Sequence, residues 1–284
     1  MYFSLTAENP SGDRLTLTGF QSAYVVTYSG LGPVGADVVT SGLGMVDGEK
    51  YNSSRVGKRN VVLTVSIRGN VESNRLRLYD FFTPKQAVKL YYQNGERDVY
   101  TEGIVETCEP NQFSQVQSVV ISIICPQPYL IGAEEIVKDI SGVTSLFSFP
   151  FSIAAAGIPF SNLSGADYAV LKNEGNVPTG FVITVYARAD VTAPVIYNVI
   201  TNEAFRLTGV LEEGNTLTID TRPGNKRLTI TDQGGNVQTA LYRKRAGSTW
   251  LQLAPGDNYI SYAAESGADS MLVTLRHNNL FVGV

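Results

Sequence analysis

The sequence of 284 residues is poor in the side chains that carry most enzyme and metal chemistry, with two cysteines and one histidine. A single histidine cannot build a zinc site without cysteine or carboxylate neighbours, and neither cysteine is near His277 in sequence. No Gly-X-Ser-X-Gly motif offers a nucleophile for a Ser-His-Asp arrangement. We therefore expect a protein without catalytic activity, bound cofactor or metal ion.

Long apolar runs are also missing. No stretch approaches the roughly 18 apolar residues of a membrane span, and the N-terminus lacks a basic segment followed by an apolar core. We expect no membrane insertion, and a protein that stays where it is made until a larger assembly carries it out. In the compartment of synthesis we expect Cys108 and Cys125 to be unpaired small apolar side chains. A disulfide between them is the alternative.

Charged residues are scarce, at 17% of the chain, and they are unevenly distributed. Residues 50–98 hold ten basic and four acidic side chains, so this stretch carries +6 and the rest of the chain −10. The asymmetry fits a surface that meets an acidic partner, and it equally fits a solvated face.

Alternating apolar residues predict β-strands. Residues 61–69 read VVLTVSIRG and residues 118–125 read SVVISIIC, both with a period of two. Between them, Glu72–Phe82 is the best helix candidate, with Ser73 as its cap and a stripe of Leu76, Tyr79 and Phe82 packing against the sheet. The predicted fold class is all-β with one short helix.

Composition and length predict two domains, each large enough for its own core. Residues 1–130 form the first, 131–145 a linker, and 146–284 the second. In the second part many short strands alternate with turn signals such as Pro223-Gly224-Asn225, a pattern typical of an antiparallel sandwich or jelly roll.

Residues 31–60 form a long, glycine-rich and weakly periodic segment, which we interpret as a projecting arm or hairpin. Its part from Gly42 to Gly48 superficially resembles a phosphate-binding loop. No Lys-Ser/Thr pair follows the second glycine, so turn geometry explains these glycines better.

One aromatic residue suggests a different kind of site. Trp250, the single tryptophan, could stack against a sugar, although a lone tryptophan in an alternating strand is more often part of a core. The carboxylate pair Glu212-Glu213 lies in a turn, where exposed acidic residues are common, and adjacency in sequence is no evidence for an opposed catalytic pair.

Several segments, taken in order, resemble the distal tail protein (Dit) family of long-tailed, siphovirus-type phages. In the first half they are MVDGEKYNSSRVGKRNVVLTVSIRG, RLRLYDFF and ISIICPQPYL. In the second half they are KNEGNVPTGFVITVYA, WLQLAPGDNYISYAAESG and the closing LFVGV. The resemblance covers nearly the whole chain, and the order of the segments is more specific than any one of them.

The resemblance implies a homohexameric ring of tail-tube-like N-terminal domains and an outward C-terminal galectin-like or jelly-roll β-sandwich. The ring would join the tail tube protein to the tail-tip hub or tail-associated lysin-type protein, and could hold receptor-binding proteins. DNA would pass through its lumen without specific binding. The protein would reside in the virion tail tip, and in the host cytoplasm during assembly.

On this view the arm contacts a neighbouring subunit. The residues expected in that contact are Lys50, Tyr51, Asn52, Arg55, Lys58 and Arg59. The alternative function is a carbohydrate-binding host-adhesion module of a phage tail or tail-derived bacteriocin, with Trp250 as the sugar platform. A contractile-tail origin also stays open.

Overall fold

Antiparallel strands make up most of the chain, and the computed structural model describes residues 3–18, 23–111, 116–140, 143–145, 161–163 and 168–284. The chain divides into unit 1, residues 1–134 and 280–284, and unit 2, residues 135–279. The predicted fold class, all-β with one short helix, is confirmed. The galectin-like character of the second half and the domain boundaries 1–130, 131–145 and 146–284 stay predictions.

The strands of unit 1 pair in the order β2-β1-β7-β8-β9-β6-β3, and β10 also pairs with β8. Their bounds are β1 (Ser4–Glu8), β2 (Arg14–Thr16), β3 (Tyr24–Ser29), β4 (Ala36–Gly42), β5 (Glu49–Val56), β6 (Arg59–Ile67), β7 (Ala87–Gln93), β8 (Asp98–Asn111), β9 (Ser118–Cys125) and β10 (Leu130–Asp139). Every second side chain of β6 enters the core, so Val61, Leu63 and Val65 are fully buried. The period-two pattern thus has its expected cause in a strand with one buried face.

Helix α1 (Val71–Phe81) lies where a helix was predicted, but its details differ. Asn70 is its N-cap residue and no side chain caps it, so the cap predicted at Ser73 is wrong. Leu78 and Phe82 are fully buried, whereas Leu76 is half exposed. Leu76 and Phe82 are six residues apart and do not share a helix face, because one turn takes 3.6 residues. The buried side of the helix is formed instead by Leu78 and Phe82, which are four residues apart. Within the described residues no helix is long and apolar enough to cross a membrane.

Unit 2 contains two larger antiparallel sheets, β23-β14-β19-β20-β21 and β13-β22-β16-β17, with the small pairs β11-β12 and β15-β18. The strands are β11 (Val143–Ser145), β12 (Ser161–Leu163), β13 (Ala169–Asn173), β14 (Val182–Ala187), β15 (Val191–Thr192), β16 (Val195–Asn198), β17 (Ala204–Arg206), β18 (Val210–Leu211), β19 (Thr216–Asp220), β20 (Arg227–Thr231), β21 (Val237–Thr239), β22 (Gly256–Ala263) and β23 (Met271–Phe281). Two 3₁₀ turns, η1 (Leu241–Arg243) and η2 (Ala268–Ser270), lie between strands.

The core of unit 2 lies between its two larger sheets. Ile183 and Val273 come from one sheet and Ile196 and Ile260 from the other, and all four are fully buried in one apolar cluster. Packing of two inner faces in this way defines a β-sandwich. The sandwich predicted from the short strands and turn signals is therefore present.

Both cysteines of unit 1 are unpaired. Burial raises the pKa of the Cys108 thiol to about 11. Burial also raises the pKa of the Cys125 thiol. Thiols with raised pKa values hold little of the reactive thiolate at neutral pH, so these side chains act as small apolar groups.

His277 is a buried residue of β23 in unit 2, with 2% of its surface exposed. Its Nε2 lies 3.3 Å from the Lys172 carbonyl oxygen, and its Nδ1 has no hydrogen-bond partner in the described part of the chain. Burial lowers the pKa of His277, and the bond to the Lys172 carbonyl only partly offsets this. The folded protein therefore holds this imidazole neutral at pH 7.

We expect unit 2 to lose stability as the pH falls below about 6.5, the ordinary histidine pKa. The unfolded chain takes up a proton there that folded His277, with its lowered pKa, does not. The slope should reach at most about 1.4 kcal/mol per pH unit. Urea unfolding between pH 5 and 8 would measure it, compared with His277→Gln. Equal slopes in the two proteins would rule out His277 as the cause.

Candidate functional site

The predicted hairpin is formed by β4 and β5, which pair only with each other within the described residues. We call residues 36–56 the arm. Its register runs from Ala36 opposite Val56 at the base to Gly42 opposite Glu49 at the end, with a shift after Val39. Every residue of both strands is exposed, so the arm contributes no side chain to a buried core.

Contacts inside the arm are few and exposed. Arg55 Nε lies 3.4 Å from Asp37 Oδ2, and the hydroxyl oxygens of Tyr51 and Ser54 are 2.8 Å apart. Solvent-exposed ion pairs of this kind contribute about 0–1 kcal/mol. A lone two-stranded hairpin is only marginally stable in water. Its own contacts therefore stabilise the arm weakly, and a partner surface would add to them.

The tip of the arm is apolar. Leu43, Met45 and Val46 expose 50%, 107% and 64% of their surface, and Val38 and Val39 along β4 are more than half exposed. Grouped exposed apolar side chains mark interaction surfaces, because an ordinary monomer surface scatters them. The arm thus combines an apolar tip with polar and charged side chains on β5, as a protein contact does.

Arg59 anchors the chain directly beyond the arm. Only 1% of its surface is exposed, and its guanidinium donates hydrogen bonds to four backbone carbonyl oxygens. The acceptors are Gly30 (2.5 Å), Gly32 (2.7 Å), Pro128 (2.8 Å) and Val282 (2.9 Å). Burial lowers the pKa of Arg59, which Cys125 partly counteracts. The guanidinium remains a cation and joins Arg59 to three other segments of unit 1, at residues 30–32, 128 and 282.

The residues predicted for the inter-subunit contact are divided by the structure. Lys50, Tyr51, Asn52 and Arg55 are exposed on β5, and Lys58 is exposed just after it. Their contact with a neighbouring subunit stays a proposal. For Arg59 the prediction is corrected, because a side chain buried among four carbonyl groups cannot present itself to another subunit.

Trp250 in unit 2 is only partly exposed, and it packs against the core. Its ring centroid lies 4.9 Å from that of Phe205, with the ring planes at 59°, and Lys226 Nζ is 5.9 Å from the indole. One aromatic face is thus engaged within the protein. The sugar-stacking role of Trp250 stays a prediction, and the packing role weighed beside it accounts for these contacts.

Two features of the site were missed from the sequence. The first is the burial of Arg59, which the alternation along β6 could have revealed, because Arg59 has the same spacing as the fully buried Val61 and Leu63. The second is the apolar character of the arm tip: residues 42–60 were expected in a subunit contact, but only polar and charged residues were named for it, and Leu43, Met45 and Val46 were not. Among the described residues, no cluster of histidine, cysteine and acidic side chains is arranged to hold a metal ion.

Two family models match the chain. Residues 29–125 match the phage tail protein RIFT-related domain, and residues 174–281 match the siphovirus-type tail component, C-terminal domain. The first match includes the whole arm and the Arg59 anchor, and the second includes most of the sandwich. No curated protein matches the sequence.

Solved structures share the fold at low sequence identity. The Dit protein of phage SPP1, titled a paradigm of the hub adsorption apparatus in phages infecting Gram-positive bacteria, is 13% identical, with a TM-score of 0.67 over 99% of this chain and 100% of that one. Chains of the phage P2 baseplate in its activated conformation, with Ca and with Sr, are 10% identical and score 0.54 and 0.51 over 98% of each chain.

The two-unit β fold and the two matched models define a structural component of a phage tail, and so of the virion, and not an enzyme. More particularly, the chain belongs to the distal tail protein family of siphovirus-type phages. The resemblance noted in the order of the sequence segments is thereby confirmed.

Proposed function

We propose that this distal tail protein is the hub of a phage tail tip and that six copies form a closed ring through their N-terminal parts. The ring joins the tail tube protein to the tail-tip hub or tail-associated lysin-type protein. Residues 1–130 form the ring, 131–145 the linker, and 146–284 an outward galectin-like domain that can carry receptor-binding proteins. Subunits assemble in the host cytoplasm before they enter the virion.

The arm is the observation that carries this proposal. It exposes every residue of two paired strands and ends in an apolar tip, which is costly for a protein that works alone. A heterologous contact repeated around a rotation axis closes a ring and buries one such arm per subunit. Lys50, Tyr51, Asn52, Arg55 and Lys58 supply the polar part of that contact.

DNA passes through the lumen of the ring without being bound tightly. Tight binding of the phosphate backbone requires many exposed lysine and arginine side chains facing the duplex. In the basic stretch 50–98, Arg59 is buried, Arg75 is bonded to Glu72 at 2.6 Å, and Arg97 lies 4.4 Å from the Phe281 ring centroid. These three cations thus have roles within unit 1, and the burial of Arg59 lowers the basic excess at the surface by one charge.

Ring formation tests the proposal directly. We expect mass photometry of the purified protein, alone or with its tail tube protein, to show a species of six times the 30.7 kDa subunit mass. Negative-stain images should show a ring with a central hole. A protein that remains monomeric both alone and with its tube and tail-tip partners would refute the proposal.

A further inference from the structure

A cleft of about 290 Å³ opens on unit 2, and Trp250 is not among its lining residues. It lies where β20 and β21 meet η1 and the segment that follows β18. Its size is near the lower end of small-molecule sites, which suits a ligand of one or two rings. Nothing in the proposed ring requires this cleft, so any function it has is additional to the hub role.

The cleft is lined by hydrogen-bonding groups that the protein itself does not use. The side chains of Glu212, Asn215 and Gln238 and the Tyr242 hydroxyl make no hydrogen bond to another described residue of unit 2, and Glu212, Gln238 and Tyr242 are exposed to solvent. One carboxylate, two carboxamides and one phenol therefore face a shared space. These groups offer donors and acceptors suited to the neighbouring hydroxyls of a ligand.

Two further groups in the cleft are held in fixed positions. The Asp232 carboxylate accepts hydrogen bonds from the Asn236 amide nitrogen and from its backbone N–H, both at 2.9 Å. Those bonds lower the pKa of Asp232, which therefore stays ionised. Arg243 Nη1 donates to the Val210 carbonyl oxygen at 2.8 Å. A site with some groups already fixed loses less entropy when a ligand binds.

An aromatic ring stands at the edge of the cleft. Tyr242 is 78% exposed and therefore has a free face, unlike Trp250, whose ring packs on Phe205. The lining also includes the apolar side chains of Val210, Ile230 and Ala240, so the cleft is mostly polar with a small apolar part. An exposed aromatic face beside polar groups suits a ligand with one apolar face and a hydroxylated edge.

The charge of the cleft narrows the ligand class. Glu212 and Asp232 oppose the single cation Arg243, so the lining carries a net negative charge. That balance disfavours phosphates, sulfates and nucleic acids. The polar lining disfavours a lipid tail, whose burial would strip water from these groups without replacing their hydrogen bonds.

We propose that this cleft binds a neutral sugar, namely a hexose or N-acetylhexosamine unit of a glycan. The pyranose C–H face stacks on Tyr242. Gln238, Asn215 and Glu212 bond its hydroxyls, and Asp232 and Arg243 complete the lining. The distal tail protein would then touch a surface glycan itself, through a site different from the one expected at Trp250.

Saturation-transfer NMR on the full-length protein tests this with glucose, galactose and N-acetylglucosamine as probes, and glucose 6-phosphate as an anionic comparison. We expect transfer to the ring protons of at least one neutral sugar. Binding should be about tenfold weaker or more in Tyr242→Ala and clearly weaker in Gln238→Ala. Glucose 6-phosphate should bind more weakly than glucose.

Two control variants and a folding measurement make the outcome decisive. Tyr186→Ala removes another exposed tyrosine of unit 2, and Trp250→Phe alters the other candidate platform; both should bind as the wild type does. Circular dichroism and thermal unfolding verify the fold of each variant, and mass photometry keeps ring assembly as a separate readout. The proposal fails if no neutral sugar shows transfer, if Tyr242→Ala binds normally, or if only Trp250→Phe loses binding.

Discussion

Replacing residues 38–54 with an Asn-Gly turn is expected to abolish the ring while unit 1 unfolds at the wild-type denaturant concentration. The substitution is geometrically simple, because Asp37 and Arg55 face each other in the register and a two-residue turn can join them. Every removed residue of β4 and β5 is exposed, so the deletion takes nothing from the core. Without the arm, each subunit lacks its contact with the next one, so the ring cannot close.

Mass photometry at about micromolar concentration would follow assembly, and guanidinium unfolding would follow stability. Gly95→Ala, in the turn between β7 and β8, is a control in unit 1 outside the arm, since a Cβ there meets no atom within 4 Å. It should assemble like the wild type. Rings of normal abundance in the shortened protein would show that the arm is not the subunit contact.

Arg59→Met is expected to lower the free energy of unfolding of unit 1 by about 3–5 kcal/mol. Methionine fills much of the space of the arginine stem but donates no hydrogen bond. The four carbonyl oxygens of Gly30, Gly32, Pro128 and Val282 then lose their shared donor. Within the described residues no carboxylate pairs with Arg59. The substitution therefore leaves carbonyl groups without a donor, but it leaves no buried carboxylate without its cation.

Urea unfolding of Arg59→Met beside Lys58→Met would measure this effect. Lys58 is the adjacent cation but is exposed, so its loss should change stability by no more than about 0.5 kcal/mol. The stability of Arg59→Lys should lie between those of the wild type and Arg59→Met, because an ammonium group with three donors reaches fewer of the four carbonyl oxygens. Equal stability of the two methionine variants would contradict the anchoring role.

Much of unit 1 could be predicted from local sequence patterns. The alternation from Val61 to Ile67 reports one buried face, and that signal lies within a single strand. The glycine-rich segment before it was correctly interpreted as a hairpin. Strand β1 (Ser4–Glu8) was not recognised, although Leu5 and Ala7 alternate inward, because five residues hold too short a period to stand out.

The pairing of strands in unit 2 could not be predicted from local sequence patterns. β13 pairs with β22, so Ala169 lies opposite Ile260, and β14 pairs with β23. Turn residues mark where strands end, but they carry no information about partners about 90 residues away. The same reason explains the site: Tyr242 and Glu212 approach one cleft only after β18, β20 and η1 have packed. The arm, which is local, was predictable; the cleft was not.

The division of the chain has a mechanical consequence. Residues 280–284 belong to unit 1, so unit 2 is joined to it by two peptide connections, one within β10 and one within β23. A tensile load on unit 2 would therefore be shared by both connections. A single cut in either connection would leave unit 2 held to unit 1 by the other.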